Sequence, residues 1–306
     1  MSTAFLRRLA LALGALVVVW LGLKLVRRSG RDQPQAFVRP KIDSSAADLV
    51  LIERQTDTIR LTRQGTGWTV NGFPAGPTLV SQLFEAMADT MARGELLAES
   101  KSSHERMGLD SLQLRRLVVR KGDETLYTLL IGKRGGNWES AYVRLPNQDA
   151  VYQLRGRLVE YVERRVEDWR DKRIVHVEPD SISGVEIQRG KQSYALTKKG
   201  SAWTFANGTE TDSAAVASLL GQFRTLDASS FATPAQADST DFSKPERRVG
   251  LTGPGGRPIA TLAFDSTSGG FWIKRDTLAT VYRIDSWLAD QLTPIDSTLS
   301  KKAAAK

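Results

Sequence analysis

Cysteine is absent from the 306-residue chain, which excludes disulfides, thiolate metal sites and cysteine nucleophiles. Histidine is nearly absent. His104 and His176 are the two present, too few for a multi-histidine metal centre. An excess of charge is missing from the part that folds, although the whole chain carries +9. Residues 1–41 hold eight Lys/Arg and one acid, and the tail adds Lys301, Lys302 and Lys306. Residues 42–300 then carry 32 bases against 33 acids. A near-neutral body lacks the basic footprint of a nucleic-acid-binding domain, so no nucleic-acid partner is expected.

Long apolar runs are also scarce; there is one, residues 9–26, with Lys24 near its end. Eighteen such residues just cross a hydrocarbon core of about 30 Å at about 1.5 Å per residue. Arg7 and Arg8 precede the run, and within it Trp20-Leu21-Gly22-Leu23 stands where a cleavage site would need small residues. The expectation is therefore an uncleaved signal anchor holding the chain to the lipid bilayer of a bacterial inner membrane. Lys24, Arg27, Arg28 and Arg31 after the span argue for a cytoplasmic body by the positive-inside count. Long following domains translocate regardless of that count, and the reading here is a single-pass protein with a periplasmic body. Residues 27–46, with Gly30, Pro34 and Pro40 and no periodicity, read as a juxtamembrane linker.

What the chain does have is a repeat. Residues 50–72 align without a gap on residues 185–207, with eight identities: Val50/Val185, Ile52/Ile187, Arg54/Arg189, Leu61/Leu196, Thr62/Thr197, Gly65/Gly200, Trp68/Trp203 and Thr69/Thr204. Apolar residues alternate in both copies, the signature of strands with one buried face. Polar breaks at 54–57 with 189–192, and at Gln64-Gly65 with Lys199-Gly200, read as turns. Each half thus opens with a three-stranded meander, and Trp68 and Trp203 read as paired core anchors.

A helix follows in each half. One stripe is Val80, Leu83, Phe84, Met87 and Met91; the other is Val216, Leu219, Leu220 and Phe223, with Asp212 as its N-cap. Strands return near Leu117, Tyr127, Tyr142 and Val151, and near Val249, Ala260, Trp272 and Val281. Each half closes with a helix, through Leu158, Val162, Val166 and Trp169, then through Trp287, Leu288 and Leu292.

No catalytic constellation emerges. His176 reads as a structural residue within an apolar strand, and His104 as part of the polar loop Ser102-Ser103-His104-Glu105-Arg106. The glycine-bearing segments 132–136 and 253–256 lack the lysine, hydroxyl and helix of a phosphate loop and read as hairpin turns. Glu167/Asp168 and Asp123/Glu124 read as solvated pairs, and the arginines between 164 and 173 as a salt-bridged face. No catalytic, cofactor-binding or metal-binding residue is named, and no cofactor is expected.

Several of these features together resemble a bacterial family, domain of unknown function 4340. They are the anchor, the Gly-x-x-Trp strand pair, the Met107-Gly108-Leu109-Asp110 turn, the Tyr142-Val143-Arg144 and Val151-Tyr152 segments, and the Trp169-Arg170-Asp171-Lys172 joint. The resemblance spans roughly residues 40–295. It implies association with ABC-2-type export systems, including gliding-motility-type transporter auxiliaries, and carries no catalytic residue to transfer. In the second half Thr240-Asp241-Phe242-Ser243-Lys244-Pro245 stands where the Gly-Leu-Asp turn would be.

The fold expected is α+β: two tandem copies of a mainly antiparallel β-meander plus helix unit, preceded by one N-terminal transmembrane helix. The divisions are anchor 1–26, linker 27–46, first repeat 47–169, second repeat 170–299 and basic tail 300–306. The function expected is a non-enzymatic, membrane-anchored envelope scaffold partnering an ABC-type transporter. The alternative is an envelope enzyme, or a glycan- or peptide-binding module with its site between the repeats.

Overall fold

The computed structural model describes Gly14, Val17, Val19, Trp20, Phe37 and residues 42–89, 94–110 and 112–301. Most of the expected anchor, most of the linker, Met91 of the first helical stripe, Lys302 and Lys306 lie outside the described residues. Among the described residues, no helix is long and apolar enough to cross a membrane. The fold is α+β with antiparallel sheets, in two compact units that divide between Trp169 and Arg170.

The first unit runs β1 (Leu49–Glu53), β2 (Thr58–Gln64), β3 (Gly67–Val70), β4 (Phe73–Pro74), α1 (Pro77–Ala88), β5 (Gly94–Ala98), β6 (Arg115–Lys121), β7 (Glu124–Arg134), β8 (Ser140–Arg144), β9 (Val151–Arg155), α2 (Leu158–Glu163) and α3 (Val166–Trp169). Its strands form one sheet in the order β4-β3-β2-β1-β6-β7-β8-β9-β5. The second unit runs β10 (Arg173–Val175), β11 (Gly184–Arg189), β12 (Gln192–Lys199), β13 (Ala202–Phe205), α4 (Ser213–Gln222), β14 (Leu226–Asp227), β15 (Ser230–Phe231), α5 (Pro234–Asp238), β16 (Arg247–Thr252), β17 (Pro258–Thr267), β18 (Gly270–Arg275), β19 (Val281–Asp285), α6 (Ser286–Leu292) and α7 (Asp296–Leu299). Its main sheet is β13-β12-β11-β16-β17-β18-β19-β15, and β10 pairs with β14 separately.

The repeat in sequence is a repeat in register. Val50 pairs with Leu61 and Ile52 with Ile59; at the aligned positions Val185 pairs with Leu196 and Ile187 with Tyr194. Gly65 and Gly200 adopt φ of 59° and 62°, the left-handed geometry that the β2–β3 and β12–β13 turns require. The two meanders expected within each half merge into one sheet, because β1 pairs with β6 and β11 with β16. The far edge is formed by β5 and β15, each placed after the helix and paired with the last strand. Neither edge strand was legible: β5 reads Gly-Glu-Leu-Leu-Ala and β15 is only two residues long.

Each sheet packs its apolar face under the helices. Helix α1 starts with Pro77 at its first position, where the missing N–H costs nothing, and buries Val80, Leu83, Phe84 and Met87. Asp212 caps α4 by accepting from the backbone N–H groups of Ala214 and Ala215 at 2.9 and 3.0 Å. The closing helix of each half is two short helices with a break, and their last residues lock the core. Trp169, fully buried beside Tyr161, accepts at its carbonyl from Gly76 N–H at 2.8 Å. In the second unit the Leu299 carbonyl accepts from Asp212 N–H at 2.8 Å.

Two apolar assignments need correction. Trp287 is 68% exposed, because at the second position of α6 it points away from the face that buries Ala289 and Leu292. Trp68 and Trp203 are half-buried, not core anchors: they lie near the open edge of the sheet, where β3 and β13 have partners too short to cover them. Trp68 leans on Phe84 with ring centroids 5.5 Å apart, and Arg63 covers its ring at 5.0 Å.

Candidate functional site

Arg54 and Arg189, identical in the repeat, perform the same task. Arg54 directly follows β1 and donates to the carbonyl of Arg164, just past α2. Arg189 ends β11 and donates to the carbonyl of Thr293, just past α6, at 3.0 Å. A helix C-terminus presents unpaired carbonyls and partial negative charge, which a charged guanidinium N–H satisfies. The strand pairing sets a second arginine beside each. Ile52 faces Leu117 and Ile187 faces Val249, so Arg115 and Arg247 occupy matching places. Arg115 and Arg134 meet Glu163 of α2, Arg115 at 3.3 Å. Arg247 and Arg189 meet Asp290 of α6 at 2.7 and 2.9 Å. Arg247 is 8% exposed, lies 4.3 Å from the Phe271 ring and also donates to Thr293 Oγ1 at 3.0 Å. Only the Arg54/Arg189 half of this device was visible in sequence, because the acids sit at unmatched positions on short helices.

At this same corner the two units differ. In the second unit the β11–β16 ladder runs to Arg189 facing Arg247, and Gly190 N–H continues it to the Glu246 carbonyl at 2.9 Å. The hairpin there is the tight turn Gly190-Lys191, with Gly190 at φ 58°. In the first unit the aligned residue is Gln55, which has no positive φ. The turn widens to residues 54–57, and Arg54 N–H bonds Asp57 O at 2.9 Å instead of the next strand. The β1–β6 ladder stops at Glu53 facing Arg116.

A groove of about 660 Å³ opens at that point, lined by Glu53, Arg54, Gln55, Glu105, Asp110, Leu112, Leu114 and Arg116. Asp110 of that lining ends the turn Met107-Gly108-Leu109-Asp110, and several contacts hold this turn. Met107 and Leu109 are buried in a satellite cluster with Leu130 and Val151. Lys133 N–H bonds the Met107 carbonyl at 2.9 Å. Gly132 leaves room for that carbonyl, with which any Cβ there would collide. Gly108 takes φ 70°. The segment 132–136 is thus not a simple hairpin turn: Gly132 belongs to β7, at a bulge between Ile131 and Arg134.

The histidines exchange the places expected of them. His104 is 2% exposed, and its Nε2 lies 2.9 Å from the Asp149 carbonyl. A carbonyl only accepts, so Nε2 carries the proton. His176 is exposed, because β10 ends at Val175 and leaves it outside the strand. Glu167, Asp123 and Glu124 are exposed, and Asp168 pairs with Arg165 at 3.5 Å. Among the described residues no group of three His, Asp or Glu side chains could hold a metal ion.

The electrostatics of both corners follow burial. Burial pulls the Arg54 guanidinium below the ordinary arginine value, with Asp57 opposing and Arg115 adding to the shift. In the second unit burial pushes the Tyr194 phenol far above its ordinary value; Asp296 adds to this and Arg189 opposes it. Its hydroxyl donates to the Pro294 carbonyl. Beside it, a cleft of about 380 Å³ lies between α4 and the closing helices, lined among others by Arg189, Ser218, Asp290 and Ile295. Its arginine and acid are already bound to each other. The groove of the first unit is the larger of these two and keeps carboxylates that bind nothing in the described chain.

No curated protein and no solved structure matches the chain. The family described as Domain of unknown function (DUF4340) matches residues 68–245. That span is narrower than the resemblance read from motifs, yet it covers more than half of the 306 residues and crosses from the first unit into the second. The chain therefore belongs to the DUF4340 family.

Proposed function

We propose that this protein is a non-enzymatic accessory subunit of the bacterial envelope, anchored in the inner membrane through residues 9–26, with its two sheet units in the periplasm beside an ABC-type transporter. The observation that carries this reading is how the ionisable side chains are used. Arg54, Arg115, Arg134, Arg189 and Arg247 bind helix ends and helix acids. Each guanidinium is engaged in tying a helix to a sheet, even where Arg54 and Arg189 line clefts, and this use supports a scaffold. The apolar run with its arginine flanks supports the anchor, and the export-system association implied by the motif resemblance supports the transporter partner.

Crosslinking in intact cells followed by pull-down from membranes tests it. Recovery of transporter subunits is the expected result; recovery of none sinks the partner assignment. A periplasm-dependent reporter fused after Lys306 is expected to be active, and activity of a cytoplasm-dependent reporter alone would reverse the orientation.

A further inference from the structure

We infer that the open corner of the first unit is a peptide-docking groove, which takes a short segment of a partner protein carrying lysine or arginine beside a bulky apolar side chain. The inference deepens the accessory reading by naming where a partner segment binds, and it does not depend on which partner that is.

The groove is a departure from the fold's own alternative. The second unit closes the equivalent corner with the Gly190–Glu246 backbone bond. The first unit leaves it open and walls it with a turn seated on its own apolar cluster. A wall already held in place means that little ordering remains to oppose binding. About 660 Å³ lies within the range of small-ligand and side-chain pockets.

The lining states the chemistry of the occupant. Three carboxylates, Glu53, Glu105 and Asp110, face two guanidiniums, Arg54 and Arg116. Both guanidiniums are engaged: Arg116 lies 3.6 Å from Glu53, and Arg54 binds Asp57 at 3.8 Å and the Arg164 carbonyl. Glu105 and Asp110 are exposed and form no ion pair among the described residues, so the charge left to an occupant is negative. An opposite charge on the partner complements it. Two leucines also line the groove, Leu112, 74% exposed, and Leu114, half-buried. An isolated exposed leucine is ordinary; one that lines the same groove as two unpaired carboxylates offers an apolar contact to a side chain whose neighbour is cationic. Gln55, exposed at the open end of the ladder, adds backbone and amide groups that can pair with an extended segment.

The test uses the full chain in a neutral detergent, with empty micelles as blank. The probe is a short fluorescein-labelled peptide alternating leucine with lysine, and its counterpart alternates leucine with glutamate. Fluorescence anisotropy is expected to show binding of the lysine peptide and none of the glutamate peptide. The double variant Glu105→Gln/Asp110→Asn is expected to weaken binding about tenfold, as loss of charge-assisted contacts implies. Leu112→Ser is expected to weaken it severalfold. These side chains are exposed, so the variants should melt as the parent does. Glu186→Gln/Asp285→Asn, which removes two exposed acids of the second unit, is expected to leave binding unchanged. Equal loss in that control, equal binding of the glutamate peptide, or full displacement of the peptide by spermidine would overturn the proposal. The last result would make the site one for a small polycation. Peptide binding without any transporter subunit in the crosslinking experiment would leave the groove standing and remove the transporter.

Discussion

Comparing the two units shows how one residue redirects a shared design. Residues 54–57 and 189–192 occupy aligned places, yet glycine at 190 permits a tight turn and glutamine at 55 does not. The tight turn lets the strand continue one pair further and zip to β16; the wide one ends the ladder and leaves room for solvent. The loop opposite follows suit. In the first unit it builds a satellite core under Met107 and Leu109. In the second it carries the short helix α5 with a Thr233–Gln236 capping box. Duplication preserved the sheet, and the corner diverged.

Several measurements would break or sharpen that comparison. The cores should respond alike despite different residues at the lock. Trp169→Ala should cost about 4 kcal/mol and Leu299→Ala about 3 kcal/mol, since each empties a fully packed place. Denaturant unfolding checks this, and a negligible loss at either would deny that the two closing helices play the same part. The arginine clamps should respond unequally. Arg247→Ala, removing a buried guanidinium that packs on Phe271 and holds Asp290 and the buried Thr293 hydroxyl, should cost about 2 kcal/mol. Arg115→Ala, removing a less buried guanidinium and leaving Arg134 on Glu163, should cost under about 1 kcal/mol.

Next in size, Gly190→Gln forces a left-handed backbone on a side chain and should cost about 1–2 kcal/mol. Hydrogen exchange should then show the amide at position 190 unprotected; retained protection would mean that the turn does not control the corner. Alkaline pH should separate the units as well. The fold raises the Tyr194 pKa and so favours the neutral phenol. The stability this adds is complete below about pH 10, the ordinary tyrosine value, and is lost as pH climbs towards the folded value. The aligned residue in the first unit is Ile59, which cannot ionise. Hydrogen exchange above pH 10 should therefore open the second unit first, and Tyr194→Phe should remove much of that bias; Tyr282, also raised by burial, retains part of it. The smallest effect is at the caps. Asp212→Ala should cost about 1 kcal/mol, whereas Gly76→Asp should gain a few tenths, both read from thermal midpoints.

Much of the fold was legible because its signals are local. Alternation at Val50/Ile52, Ile59/Leu61 and their counterparts marks strands, Gly65 and Gly200 mark turns, and Asp212 caps a helix, each within a few residues. The groove was not legible in the same way. Its lining comes from Glu53, Arg54 and Gln55 on one side and Glu105, Asp110, Leu112, Leu114 and Arg116 on the other, which approach because β1 pairs with β6 across the intervening helix. His104 looked solvated beside serines, glutamate and arginine; its burial depends on a carbonyl 45 residues away. Trp68 and Trp203 looked internal because alternation names a face without saying how far that face is covered.

By itself the sequence determined that there are two copies of one unit, their strand and turn pattern, the apolar run at 9–26 and the exclusion of thiol chemistry, since composition and short-range periodicity suffice for these. The tertiary structure alone decided that each half makes one sheet, that paired arginines tie the closing helices to it, and that one corner is zipped while the other stands open. Those outcomes depend on which distant backbone groups find each other. A turn that differs by one glycine is enough to change that pairing.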